Sequence, residues 1–127
     1  MIAKNSQSKR GDDTLSHGEE LFTQLASFYA TPKTEYPVER AMLFGFDCLR
    51  INGKVFAKLH NGHLVMKLPT NRIAALVDSG QVSCYELRGR LMKEWAVIST
   101  SKDIIALAEE ARVFTLSDAY IGRKING

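Results

Sequence analysis

Lys54, Phe56 and Lys58 alternate along one strand-like segment, and the hairpin that follows sets Lys67 opposite Phe56. Cations spaced around an exposed aromatic ring are the ingredients of a surface that tracks a phosphate backbone and stacks bases. The competing interpretation is a solvated sheet face, in which Asp47 opposes and neutralises Lys58 while Leu49 opposes and shelters Phe56. A helix or a second copy of the chain lying over this face is a further alternative, the latter making it a homodimer seam. Arg88-Gly89-Arg90 offers two guanidinium groups at a tight turn. Such a pair suits bidentate contact with phosphate or carboxylate, although turn-tip arginines are commonly just hydrated. His60 and His63 flank Asn61-Gly62, so a hairpin there brings the two imidazoles side by side. They are weak metal-ligand candidates, because a catalytic zinc site needs a third protein ligand, and a paired polar strand end is the plainer account.

Nucleophilic catalysis finds little support. The chain has no Gly-x-Ser-x-Gly elbow, phosphate-binding glycine loop, His-Glu-x-x-His or dinucleotide fingerprint. Cys48 falls on the apolar side of its strand, where a thiol is inert. Trp95 reads as core or core edge; a pocket near Trp95 and Tyr85, between sheet and helices, is the small-molecule or weak-enzyme alternative. No cofactor is expected.

The elements that position these residues are legible in the turn and cap chemistry. Ser16 with Glu19 has the spacing of a reciprocal helix cap, and Leu21, Leu25, Phe28 and Tyr29 recur at helical intervals behind it. Pro32 closes that helix and Pro37 keeps the chain extended. From Arg40 to Leu68, Asn52-Gly53 and Asn61-Gly62 each favour a two-residue hairpin turn. Strict alternation outward from both turns predicts a core face of Phe46, Cys48, Val55, Ala57, Leu59, Leu64, Met66 and Leu68. It assigns Asp47, Leu49, Ile51, Lys54, Phe56, Lys58, His60, His63, Val65 and Lys67 to the mixed face. Thr70 caps a short helix carrying Ile73, Leu76 and Val77 and stopped by Gly80. Val82–Leu87 and Leu91–Ile98 form a strand pair, and a last helix from Thr100 or Ser101 buries Ile104, Leu107, Ala108, Ala111 and Phe114. The predicted fold class is α+β: an antiparallel meander of five to six strands with N-terminal, middle and C-terminal helices on one face. Residues 1–15 are expected to be a flexible polar tail, 16–116 the domain and 117–127 a C-terminal tail.

The chain has 127 residues, 45% hydrophobic and 24% charged, which is room for one ordinary globular domain. No apolar run approaches the ~18 residues of a membrane span, and the first residues lack a secretory pattern. Two cysteines in apolar segments suit free thiols in the cytoplasm. Nine Lys/Arg against six Asp/Glu between Glu35 and Ser99 carry the whole net charge of +3. That placement admits an acidic protein or nucleic-acid partner without requiring one.

Four ordered segments carry a family resemblance. Met42-Leu43-Phe44-Gly45, Asn52-Gly53-Lys54-Val55-Phe56-Ala57, Leu64-Val65-Met66-Lys67-Leu68-Pro69 and Gly89-Arg90-Leu91-Met92-Lys93-Glu94-Trp95 resemble successive blocks of TfoX N-terminal domains. Phe46 replaces a glycine that often follows the first block. The resemblance spans roughly residues 35–115 and implies the same compact α+β fold. Full-length TfoX proteins regulate competence and carry a C-terminal domain for which this chain has no room. The expectation is therefore a non-enzymatic binding or regulatory module rather than a competence regulator as such.

Overall fold

A computed structural model describes residues 16–31, 37–100 and 102–126, with side chains to Ser117. The segment expected as an N-terminal tail, together with Pro32 and Ser101, lies outside the described residues. The order is α1 (His17–Tyr29), β1 (Val38–Leu43), β2 (Phe46–Ile51), β3 (Lys54–His60), β4 (His63–Lys67), α2 (Thr70–Asp78), β5 (Val82–Leu87), β6 (Arg90–Ile98) and α3 (Ile104–Asn126).

The reciprocal cap forms as its spacing predicts. Ser16 Oγ accepts the Glu19 N–H at 3.1 Å, and the Ser16 N–H donates to Glu19 Oε1 at 2.8 Å. The same hydroxyl donates to the Gly62 carbonyl at 3.0 Å, tying the helix start to the β3–β4 turn. Gly18 makes this approach possible: a Cβ there would lie 2.1 Å from the Gly62 oxygen. The helix then buries Leu21, Phe22, Leu25 and Tyr29.

The six strands form one sheet in the order β1-β2-β3-β4-β6-β5. The first four are a meander. Helix α2 then carries the chain to the outer position, and β6 returns antiparallel into the space beside β4. All four hairpin turns have two residues at positive φ: Phe44-Gly45, Asn52-Gly53, Asn61-Gly62 and Arg88-Gly89. The asparagines relax readily into that region; Phe44 and Arg88 do so at greater cost.

Strict alternation fails between the two Asn-Gly turns. Arg50 pairs with Val55 but Leu49 pairs with Ala57, so Phe56 is an extra residue in β3. Such a bulge lets Phe56 and Ala57 both turn toward the helices, and both are fully buried. Burying a phenylalanine is worth roughly 1.5–3 kcal/mol, against about 1 kcal/mol for a lost ladder hydrogen bond. The bulge is the cheaper arrangement. It transfers Phe46, Cys48 and Val55, expected in the core, to the other face. Leu49, Ile51 and Phe56, expected on the mixed face, enter the core. Beyond the bulge the expected faces hold: Ala57, Leu64, Met66 and Leu68 are buried under the helices and Leu59 packs against them.

Helix α2 is preceded by Pro69 at the capping position, and Thr70 is its first residue with no side-chain cap, contrary to expectation. It ends with Gly80 at φ 80°, the Gly80 N–H bonding to Val77 O and the Gln81 N–H to Leu76 O. Helix α3 buries Ile104, Leu107, Ala108 and Ala111, but Thr115 rather than Phe114 completes the stripe. It continues to Asn126, through the stretch expected as a tail. One continuous core draws on all three helices and a single sheet face.

Candidate functional site

The face away from the helices is assembled by strand register. Cys48 pairs with Lys58, Lys58 with Val65, His60 with His63, Val65 with Val97 and Lys67 with Trp95. Partners across antiparallel strands point the same way. Near the hairpin arm the β5–β6 register shifts between Cys84 and Glu86, and Tyr85, at the shift, joins this cluster.

Lys58 is the centre of the arrangement. Its Nζ lies 4.8 Å from the Trp95 ring centroid and 5.1 Å from that of Tyr85. Both distances are within the ~6 Å reach of cation–π attraction. Burial pushes its ammonium below the ordinary lysine range, while the two ring faces hold the charge in place. Among the described residues no carboxylate ion-pairs with it. The expected neutraliser, Asp47, lies on the opposite side of β2 and takes a bidentate contact from Arg40 at 3.0 and 2.7 Å. That guanidinium holds the Asp47 carboxyl below its ordinary value.

Around Lys58 stand two more ring systems, Phe46 and His60. His60 meets Phe46 edge to face at 4.7 Å between centroids, and its Nδ1 lies 2.7 Å from the Tyr85 hydroxyl. Burial raises the Tyr85 phenol, so the hydroxyl keeps its proton, and the imidazole tautomer sets which of the two groups donates in this bond. Phe46, His60 and Trp95 remain half-exposed, and the cluster thus presents aromatic surface around an embedded cation. Cys48 lies buried beneath, its thiol raised by burial. The Glu39 carboxylate on this side is engaged by Arg50 at 3.0 Å.

The sequence-predicted residues separate accordingly. Lys58 and Lys67 share the open face. Lys54, exposed at the first Asn-Gly turn, pairs with Ile51 and belongs to the helix side. Phe56 is fully buried and meets Tyr29 edge to face at 5.8 Å. It cannot stack a ligand or form a homodimer seam. Lys67 stands opposite Trp95 rather than Phe56. Arg88 and Arg90 are exposed at the tip of the β5–β6 hairpin. His60 and His63 are neighbours as expected, but His60 is engaged by Tyr85. Among the described residues no group of three or more His, Cys, Asp or Glu is arranged to hold a metal.

A separate groove of about 320 Å³ lies between α2 and the β5–β6 hairpin, lined by Ile73, Val77, Cys84, Leu91, Met92 and Trp95 among others. Trp95 borders it as expected of the pocket alternative; Tyr85 faces the other way. No helix among the described residues is long and apolar enough to cross a membrane. No family model matches the chain, and neither a curated protein nor a solved structure shows significant similarity to it.

Proposed function

We propose that this chain is a non-enzymatic binding module with a regulatory role, and that its open sheet face receives single-stranded nucleic acid. The observation that carries this reading is Lys58, a partly buried cation held by Tyr85 and Trp95 with no carboxylate partner among the described residues. Half-exposed rings flank it, as a stacking surface for bases requires. Lys67 adds a second cation on the same face, and the Arg88–Arg90 turn extends positive charge along the hairpin arm. Phe44 supports the same reading: it is 96% exposed at the β1–β2 turn and adds nothing to the core. The likeness to TfoX N-terminal blocks is in keeping with a regulatory rather than catalytic role.

Fluorescence anisotropy with a labelled single-stranded oligonucleotide tests the proposal. Binding should weaken with salt, by a slope of about 0.7 per phosphate contact. Lys58→Glu combined with Lys67→Glu should abolish it, whereas Lys54→Glu, on the other side of the sheet, should have far less effect. Absence of binding at low ionic strength would dispose of the nucleic-acid reading. The groove beneath α2 favours a second reading, a site for a small apolar ligand. A ligand screen that raises the melting temperature, reversed by Met92→Trp, would support it.

A further inference from the structure

Strand β5 is the outer strand of the sheet beyond β6, and its sequence, Val-Ser-Cys-Tyr-Glu-Leu, is unusually unguarded for that place. It contains no proline and no lysine, and Glu86 is its one charge. Strands at sheet edges ordinarily carry such residues because their unpaired N–H and C=O groups recruit other chains. The opposite edge, β1, bears Glu39 and Arg40.

The directions of the backbone groups follow from the ladder. The Ser99 N–H donates to the Gln81 carbonyl at 3.2 Å, in register with Val82–Ile98 and Ser83–Val97. In an antiparallel ladder bonded and non-bonded pairs alternate. Gln81 and Ser83 therefore bond toward β6, while Val82 and Cys84 direct their N–H and C=O groups outward. From the other end, the two-residue Arg88-Gly89 turn makes Leu87–Arg90 a bonded pair, so Glu86 also points outward. Ser83, Cys84 and Glu86 are exposed. Among the described residues no other element takes up these groups.

We infer that β5 is a self-association edge, pairing antiparallel with β5 of a second copy of this chain about a two-fold axis at Cys84. In this register Cys84 meets its own copy, and Val82 meets Glu86 of the partner subunit, each pair exchanging both backbone bonds. Side-chain chemistry favours this occupant. The register carries Arg88 alongside Gly80 of the partner subunit, next to the C-terminal end of α2, where Asp78 and the helix dipole are negative. Two copies meeting through their open faces would instead oppose Lys58 and Lys67 with like charges. Pairing at the β5 edge leaves the Lys58 and Lys67 face open and does not rest on the ligand proposed above, although it draws Arg88 away from that ligand toward the partner subunit.

Light scattering on the full chain reads the association directly. The expected mass is twice the 14.2 kDa of one chain, falling on dilution. Cys84→Pro should yield a monomer with an unchanged circular dichroism spectrum, since the Cys84 N–H makes no bond to β6. Cys84→Lys is the second variant should the proline disturb folding; it sets two cations together at the axis. Register is read by oxidation with diamide, which takes two electrons and two protons from a pair of thiols as their disulfide forms. Directly opposite residues in a bonded pair have Cα atoms ~5.5 Å apart, within disulfide reach. The wild type should give a covalent dimer; Cys84→Ser should give none while keeping the dimer mass. Cys48 is buried and does not compete. A wild type that stays monomeric at its highest soluble concentration overturns the inference and leaves the edge to a different chain. So does a dimer that survives both Cys84→Pro and Cys84→Lys, or one that diamide does not link.

Discussion

Phe44 occupies a backbone conformation that bulky side chains avoid, at φ 52°, and does so with its ring in water. Folding gains nothing from it, since its neighbour Met42 is also 65% exposed and no buried surface results. An asparagine would relax into the same turn. Phe44→Asn is therefore expected to stabilise the fold by about 1 kcal/mol, measured by urea denaturation. If the ring serves the binding face, the same variant weakens oligonucleotide binding, separating the two effects. Phe56 is the converse case. Its alternation with Lys54 and Lys58 suggests presentation to solvent, yet it is fully buried against Tyr29. Three successive apolar residues, Val55-Phe56-Ala57, make the strand's parity ambiguous, and nothing local says which one is the extra residue. The partners of Lys58 were hidden for another reason: Tyr85 and Trp95 reach it only through the pairing of β6 with β4.

Helix α1 and the β3–β4 turn behave as one unit because their backbones touch. Alanine at Gly18 would gain up to about 1 kcal/mol in helix propensity. Its Cβ, however, would sit 2.1 Å from the Gly62 oxygen, a backbone atom with little room to move. Overpacking of this kind costs typically 1–3 kcal/mol, so the clash wins. Gly18→Ala should lower stability by a net of up to about 2 kcal/mol in a denaturant titration. How well each element could be foreseen follows its chemistry. The α1 cap and both Asn-Gly turns use residue types whose reason is local, and all three formed as expected. The Phe44-Gly45 turn lacks an asparagine signature. The outer position of β5 depends on where β6 inserts, a long-range choice that turn residues do not encode.

Hydrogen-bonded carboxylates on the helix side make stability depend on pH, and one of them, Glu109, also ties α1 to α3 through Tyr29. Arg112 donates to Glu109 at 3.0 and 2.9 Å, and the Tyr29 hydroxyl donates to the same carboxylate. Hydrogen bonds from Arg112 hold Glu109 below its ordinary value, as those from Arg40 hold Asp47. For both groups the unfolded chain binds protons first as the pH falls below about 4. Their stabilisation is complete above that value and is lost as the pH falls through the lower folded values. Tyr29 acts in the opposite direction. Burial and then Glu109 raise its phenol, so above about pH 10 the unfolded chain ionises while the folded one does not. Stability should decline there with rising pH. Thermal melts across both limbs test this: Arg40→Ala should flatten part of the acid limb and Tyr29→Phe the alkaline one.

The bond from Ser16 to Gly62 has a mechanical consequence. Tension on the chain ahead of Ser16 would not simply unwind α1 from its end. While that bond holds, part of the load would pass into the hairpin of β3 and β4, interior strands flanked by neighbours. Anything tethered at that end would thus be anchored to the middle of the sheet rather than to its margin.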